Sequence, residues 1–171
     1  MGETFEPFYN HFLDWLKKNP DVKLAFNPGT WQMKGGVEGI KEALSLSQIL
    51  YVNREEAEKL TNFPDSYGKE KELLSLVSKL GPKISIITDG PDGSLAYDGQ
   101  RFIKCGIYPR EVTERTGAGD AFGSGMISAL IKGKTLEEAL IWGTINSASV
   151  VSFVGAQKGL LKEPEMLEWL E

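Results

Sequence analysis

The sequence predicts an α/β fold built on a mostly parallel β-sheet. Short apolar runs alternate with segments whose apolar residues recur at helical spacing, and this alternation is typical of parallel strands joined by helical crossovers. The run at 49–52 is compact and apolar, as expected for a strand covered on both faces. Because 41% of the 171 residues are hydrophobic, which suffices for one sizeable core, we expect a single domain over residues 1–171.

The first part of the chain predicts helix, strand, helix, strand and helix in turn. Apolar residues recur at helical spacing over 5–16, and Pro20 ends that pattern. A short strand at 22–26 ends at an Asn-Pro-Gly turn, and helical spacing resumes over 37–46. The buried strand at 49–52 follows, after which Asn53 is placed to start a helix over 55–60.

The rest of the chain predicts one more strand, a hairpin and four helices. A helix over 69–80 stops at Gly-Pro, and the apolar run after it predicts a strand over 83–88. Two short runs flanking Asp-Gly-Gln indicate an antiparallel hairpin. The hairpin strands are expected at 95–97 and 101–103, and the last three helices at 117–132, 135–154 and 164–170. Thr135 and Glu138 have the spacing of a capping box.

Composition excludes several classes of function. A net charge of -5 without a basic run disfavours binding to nucleic acid. No apolar stretch approaches the roughly 20 residues of a membrane span, and the first residues lack signal-peptide features, so we expect a cytoplasmic protein without membrane contact. Cys105 and His11 are the only residues of their types, which excludes an internal disulfide and a Cys/His zinc site and argues against a Ser-His-Asp or Cys-His hydrolase.

The segment over 115–125 carries the strongest chemical signal. Gly117, Ala118 and Gly119 stand where extended chain leads into an amphipathic helix. Residues this small let a ligand approach the helix N–H groups that lack intrahelical partners, so the pattern predicts an anion site. The carboxylate of Asp120 in the same turn would repel a bound phosphate if Asp120 had no further role. A base is needed at this place, however, if a hydroxyl is to attack that phosphate, and Asp120 fits the role of that base. The open alternative is that Asp120 only stabilises the helix start and the glycines only allow close helix packing.

Two other glycine motifs fail on spacing. The Gly-Lys-Thr at 133–135 resembles the end of a P-loop, but that motif needs a glycine where this chain has Ser128, and a strand before it. A dinucleotide fingerprint that starts at Gly117 would need a glycine where Phe122 stands. A P-loop enzyme and a Rossmann dehydrogenase are therefore both disfavoured.

A family resemblance adds to this interpretation. The Thr-Gly-Ala-Gly-Asp-Ala-Phe of 116–122 resembles the C-terminal signature of the ribokinase (PfkB) family of carbohydrate and nucleoside kinases. Asn53 to Glu56 resembles the family's Asn-x-x-Glu motif, and 88–93 resembles its nucleotide-binding turn. Asn146 resembles an adenine-side asparagine, and 155–157 the loop that closes that pocket. The resemblance extends from about residue 27 to the C-terminus and implies a ribokinase-like, Rossmann-type sheet flanked by helices.

Each of these further matches also has a local explanation. Asn53 and Glu56 fit a helix N-cap with its capping partner. The residues over 88–93 are ordinary turn formers, and Asn146 fits a satisfied polar residue within a helix. Because all of them fall at strand ends or helix starts on one side of a parallel sheet, their joint presence favours the family.

The resemblance implies an ATP-dependent carbohydrate kinase that phosphorylates a sugar or sugar-like alcohol. In that case Asp120 is the general base, and the amides of Gly117, Ala118 and Gly119 form the anion hole. Glu56 helps to organise Mg²⁺ around the phosphates. The residues implied in nucleotide binding are Asn53, Thr88, Gly90, Gly93, Asn146 and Gly155. The family often has an aspartate two residues before Thr116, where this chain has Glu114, and this difference weakens the case for K⁺.

The family's N-terminal half, with its glycine-pair sugar-binding signature, has no counterpart in the sequence. We therefore expect the C-terminal, nucleotide-binding part of such a kinase. A strand at 22–26 or 49–52 would then lie at an exposed edge, which favours a homo-oligomer or pairing with a complementing N-terminal chain. The alternative function is a non-catalytic nucleotide-binding or assembly fragment. The residues do not indicate which sugar or alcohol is the acceptor.

Overall fold

The computed structural model describes residues 5–170, with side chains from Phe8 onward. Strands and helices alternate along this part of the chain, and none of its helices is long and apolar enough to cross a membrane. The strands are β1 (Leu24–Phe26), β2 (Ser47–Asn53), β3 (Ile84–Thr88), β4 (Ser94–Tyr97) and β5 (Phe102–Cys105). The helices are α1 (Phe5–Lys18), α2 (Thr30–Lys34), α3 (Gly36–Leu46), α4 (Arg54–Thr61), α5 (Glu70–Ser78), α6 (Ala118–Ile131), α7 (Leu136–Val150) and α8 (Glu163–Glu168).

The predicted strands and helices are present, with small differences in their bounds; β1, for example, begins at Leu24 instead of 22. Helix α2 and a 3-10 turn at Gly90–Asp92 occupy segments for which the sequence predicts no helix, because they are too short for helical spacing to register. Helix α7 ends at Val150 instead of 154, because the chain tightens into a turn in which Phe153 N–H donates to the Val150 carbonyl at 3.1 Å. Such tightened last turns satisfy carbonyls that have no partner at a helix end.

The chain packs as two compact units. Among the residues that the structure describes, the first unit comprises 5–88 and 95–102, and the second comprises 89–94 and 103–170. Each unit has its own buried residues. The single domain over 1–171 stays a prediction.

The strands follow one another across the sheet in chain order, from β1 to β5. β1 pairs with β2 and β2 with β3, both in parallel, and the β2–β3 register places Asn53 opposite Thr88. β1 is an edge strand of only three residues, whereas β2 is paired on both sides. The expectation of an exposed edge at 49–52 is therefore wrong. The other candidate, 22–26, contains β1, which is the edge strand of the sheet.

The core of the first unit lies between its helices and the sheet. Side chains from α1, α3, α4 and α5 meet those of β2 and β3 in one apolar cluster. Leu44, Leu50, Leu73 and Leu74 are fully enclosed there. Burial of this kind stabilises by about 1.5–3 kcal/mol for each large side chain, so the cluster holds the carboxyl ends of β2 and β3 in place.

A polar cluster fastens the loop between α4 and α5 in the same unit. The Glu58 carboxylate accepts hydrogen bonds from the Ser66 hydroxyl at 2.6 Å and from the Ser66 N–H at 3.0 Å. Arg54 donates to the same hydroxyl at 3.1 Å and pairs with Glu70 at 3.1 Å. The Ser66 hydroxyl, followed by its N–H, holds the pKa of Glu58 below its ordinary value.

The lowered pKa of Glu58 predicts a loss of stability in acid. Its contribution is present above the ordinary glutamate pKa and is lost as the pH falls through the lower folded-state value. We expect Glu58→Gln to melt below wild type at pH 7 and the difference to shrink below about pH 4. Thermal melts across this pH range test it, with Glu72→Gln on the exposed face of α5 as the matched control. A difference that stays constant down to pH 3 contradicts it.

Helices α6 and α7 form the centre of the second unit. They pack closely because glycines stand at their contact: a Cβ on Gly125 would lie 2.8 Å from the Trp142 carbonyl oxygen, and one on Gly143 would lie 2.8 Å from that of Phe122. The predicted capping box is confirmed, since Glu138 N–H donates to Thr135 Oγ1 at 3.2 Å. The tight pair provides a rigid support for the first turn of α6.

Candidate active site

The predicted site residues divide between the two units. Asn53 and Thr88 belong to the first unit, where they end the neighbouring strands β2 and β3 in direct register. The Thr88 hydroxyl donates to the Val52 carbonyl at 3.5 Å. The sheet therefore brings these two side chains together at its carboxyl edge, which is where open α/β sheets bind ligands.

Glu56 is bound to Asn53 in a reciprocal cap. Glu56 N–H donates to Asn53 Oδ1, and Asn53 N–H donates to Glu56 Oε2, each at 2.9 Å. The capping interaction that could explain this motif locally is therefore present, and Asn53 with Glu56 forms the start of α4. One carboxylate oxygen of Glu56, Oε1, accepts no hydrogen bond among the described residues, so the cap does not use up the carboxylate.

The turn between β3 and β4 begins the second unit. Asp89 N–H donates to the Gly93 carbonyl at 2.8 Å, which closes a loop containing Gly90. Gly93 has φ +85°, and a Cβ there would collide with the carbonyl oxygen of Cys105. A glycine is required at this position for both reasons. The turn thus places Gly90 on the surface directly after β3, and its contact with a nucleotide stays a prediction.

The first turn of α6 is the predicted anion site, and one of its three amides already has a backbone partner. Gly117 is the N-cap with φ +84°, and its carbonyl accepts the Ala121 N–H at 2.8 Å. Ala118 N–H donates to the Arg115 carbonyl at 3.2 Å, so it would have to leave that bond to reach a ligand. Gly119 is exposed and has nothing within 4 Å of the place a Cβ would take.

Asp120 occupies the third position of this helix and is exposed. Among residues 5–170, none donates a hydrogen bond to its carboxylate. A carboxylate that merely caps its own helix would be bonded to a backbone N–H at the helix start. The free carboxylate is available to a ligand, and the N–H groups and helix dipole beside it favour negative charge.

The loop over 151–159 lies against this helix start. Glu114 Oε2 accepts the Gly155 N–H at 2.8 Å. Ala156 packs closely on Gly117: a Cβ on Gly117 would lie 2.5 Å from the Ala156 carbonyl oxygen. The structure therefore places the loop that contains Gly155 against Gly117 within the second unit, and the roles of both glycines stay predictions.

Asn146 lies beneath α6, and its exposed fraction is 3%. Its amide nitrogen donates to the Ala121 carbonyl at 2.8 Å and to Ser124 Oγ at 3.2 Å. Its amide oxygen accepts the Leu161 N–H at 2.9 Å. These bonds are those of a buried polar residue that joins α7 to α6, so its contact with adenine stays a prediction while its structural role is plain.

Glu114 is the residue whose role the sequence does not reveal. Its pKa lies below the ordinary value because the Thr116 side chain and, next, the Gly155 N–H bond its carboxylate. The sequence identifies Glu114 only as a departure from the family's aspartate. No local pattern could have found the bond, since 41 residues separate the partners.

Glu56 is the residue that the resemblance implies in organising Mg²⁺. Within the described part of the chain, no group of three or more Asp, Glu, His or Cys residues could hold a metal. Mg²⁺ in phosphoryl-transfer sites is bound by one or two carboxylates together with substrate phosphates and water. The carboxylate of Glu56, with one oxygen free, meets that requirement.

Comparison with known proteins decides the family. The family model described as pfkB family carbohydrate kinase matches residues 4–163. The chain belongs to this family. The predicted family is thereby confirmed, and the matched region includes every predicted site residue.

Individual relatives agree with the assignment. The ATP-dependent 6-phosphofructokinase of Thermoanaerobacterium thermosaccharolyticum is 32% identical over 167 residues, covering 85% of this chain and 51% of that protein. The ribokinase of Haemophilus influenzae is 33% identical over 159 residues, covering 91% and 50%. The structure of Arabidopsis thaliana ribokinase complexed with ribose and ATP aligns with a TM-score of 0.71 at 28% identity, covering 77% of this chain and 43% of that chain. The pfkB chain thus has the predicted ribokinase-like fold and spans about half the length of the curated relatives it matches.

Proposed function

We propose that this pfkB-family chain takes part in transferring a phosphoryl group from ATP to an alcohol of a sugar or sugar-like molecule. The observation that carries the proposal is the exposed Asp120 carboxylate in the first turn of α6, to which no described residue donates a hydrogen bond. Asp120 takes the proton of the acceptor hydroxyl as the oxygen attacks the phosphoryl group. A positioned base of this kind typically contributes ~10²- to 10⁴-fold in rate.

The helix start supplies the second requirement, which is stabilisation of negative charge. The N–H groups of Gly117 and Gly119 lie at the positive end of α6, and Ala118 joins them if its bond to Arg115 opens. Fixed donors aimed at developing charge are among the strongest catalytic devices. The absence of a side chain at Gly119, where nothing lies within 4 Å of a Cβ position, lets a phosphoryl group approach the backbone, whereas the corresponding place at Gly117 is taken by Ala156.

The nucleotide is assigned to the remaining predicted residues. Asn53 and Thr88, together at the carboxyl edge of β2 and β3, are proposed to contact the phosphate region. The backbone of Gly90 and Gly93 is proposed to contact the triphosphate and ribose, and Gly155 the adenine side. Asn146 supports that side from beneath α6. The complex of a family relative with ribose and ATP supports ATP as the nucleotide.

Glu56 is proposed to bind Mg²⁺ through its free oxygen, and this predicts a specific binding defect. Mg²⁺ would offset the charge of the phosphates. Glu56→Gln keeps an oxygen to accept the Asn53 N–H but removes the charge. By calorimetry, we expect ATP to bind wild type more tightly with Mg²⁺ and the variant to lose that gain. Glu55→Gln, an exposed neighbour in the same first turn, is the control. An unchanged magnesium dependence in Glu56→Gln contradicts the assignment.

A transfer assay tests the proposed activity directly. The chain is incubated with γ-labelled ATP, Mg²⁺ and, separately, ribose, fructose 6-phosphate and a nucleoside such as cytidine. Labelled product that requires one acceptor supports the proposal and names the acceptor class. ATP binding without transfer to any acceptor supports the second candidate instead.

The second candidate is a non-catalytic nucleotide-binding or assembly module. The observation that favours it is the short edge strand β1, which offers unpaired backbone groups to a second copy or to a complementing chain. Sedimentation alone and with a candidate partner separates these states from a monomer.

A further inference from the structure

A carboxylate outside the assigned machinery connects the two segments that meet at the start of α6. Glu114 Oε2 accepts the Gly155 N–H at 2.8 Å, and the Thr116 side chain bonds the same carboxylate. Glu114 lies three residues before the N-cap of α6, whereas Gly155 lies in the loop after α7. One side chain therefore holds both segments.

The backbone beside Glu114 makes the same connection. The N–H groups of Thr113 and Glu114 both donate to the Val151 carbonyl, at 2.8 and 3.2 Å. The Thr113 hydroxyl donates to the Ser152 carbonyl at 3.2 Å. The segment before α6 is thus attached to the loop at several points, and the bond from the Glu114 carboxylate to Gly155 reaches the farthest along the loop.

The attachment matters because Gly117 rests on the next residue of that loop. A Cβ on Gly117 would lie 2.7 Å from the Ala156 Cα, so the two backbones are in direct contact. A shift of Ala156 must therefore move Gly117, or open a gap beside it. The Gly155 N–H bond to Glu114 fixes the residue immediately before Ala156.

We propose that Glu114 is a positioning residue: its carboxylate holds the 151–156 loop against Gly117 and so sets where the first turn of α6 presents Asp120. We call the bond between the Glu114 carboxylate and the Gly155 N–H the clasp. Its catalytic consequence rests on the proposed function, but the clasp itself lies within the second unit. Glu114 is not among the residues proposed to contact ATP or the acceptor. Its effect is transmitted through Gly155, Ala156 and Gly117.

Three variants separate the parts of the clasp. Glu114→Ala removes both the charge and the acceptor, whereas Glu114→Gln keeps an oxygen that can accept the Gly155 N–H. Glu111→Ala removes an exposed carboxylate three residues earlier and is the matched control. Thermal melts establish that each variant is folded at the assay temperature.

Amide hydrogen exchange measures the clasp without reference to activity. We expect Glu114→Ala to exchange at least several-fold faster than wild type in peptides covering 113–121 and 151–159. Glu114→Gln should lie between them, and Glu111→Ala should match wild type. Unchanged exchange in both segments of Glu114→Ala overturns the proposal.

Turnover measures the consequence. A misplacement of about 1 Å can cost on the order of 10²-fold in rate, so we expect kcat to fall about 10- to 100-fold in Glu114→Ala. Glu114→Gln should recover a large part of kcat. A loss of kcat in Glu114→Gln equal to that in Glu114→Ala, without faster exchange, would assign the effect to charge and overturn the positioning role. Faster exchange in a chain whose wild type transfers no phosphate would confirm the clasp and refute the proposed function.

Discussion

Replacing Asp120 by asparagine is expected to slow phosphoryl transfer by ~10²- to 10⁴-fold while ATP still binds. Asparagine has nearly the same shape and can accept a hydrogen bond, but it cannot take the proton of an attacking hydroxyl. The side chain is exposed, so the substitution leaves no cavity and no buried polar group unpaired. Single-turnover transfer with labelled ATP measures the rate, and calorimetry measures nucleotide affinity.

The same substitution distinguishes the two explanations of Asp120. If the residue only complements the helix dipole, Asp120→Asn should cost about 0.3–1 kcal/mol of stability and leave the transfer rate unaltered. Asp21→Asn, an exposed aspartate outside the helices, provides the control for a change of charge. Transfer by Asp120→Asn at the wild-type rate would remove Asp120 from the role of base.

Local chemistry explains which parts of the fold could be predicted. The apolar run at 49–52 has few alternatives to a buried strand, and β2 contains it. The spacing of Asn53 with Glu56, and of Thr135 with Glu138, predicts caps that need no distant partner, and both caps form. Such features depend on residues three or four apart, so the sequence displays them directly.

Features that depend on distant segments could not be predicted. The burial of Asn146 follows from α6, α7 and the chain at Leu161 meeting around it, and nothing next to Asn146 indicates that arrangement. The bond between Glu114 and Gly155 is likewise set by tertiary packing. The interior place of β2 depends on strand order, which no local pattern states. The family motif identifies Asp120 and its glycines, but the contacts that hold them are visible only in the structure.

The contact between Gly117 and Ala156 predicts that Gly117→Ala disrupts the start of α6. Alanine at φ +84° is strained by about 1–3 kcal/mol, and its Cβ would lie 2.5 Å from the Ala156 carbonyl oxygen, where overpacking typically costs a further 1–3 kcal/mol. We expect a large fall in the urea midpoint of unfolding and complete loss of transfer. The backbone on both sides of this contact leaves no flexible side chain to move aside.

Gly119→Ala is the informative companion, because it lies in the same turn without strain. Nothing lies within 4 Å of its Cβ position, and alanine favours a helix over glycine by up to about 1 kcal/mol, so the midpoint should hold or rise. Its methyl group would still stand where a phosphoryl group must approach the backbone, and transfer should fall. Gly106→Ala, where a Cβ also meets nothing, controls for a glycine substitution outside the helix.

If Gly117→Ala kept the wild-type midpoint, the close contact with Ala156 would not exist in solution; if Gly119→Ala kept full transfer, the anion site would not lie on this turn. Because the first result reports packing and the second reports chemistry, the pair separates the scaffold of the site from the site itself.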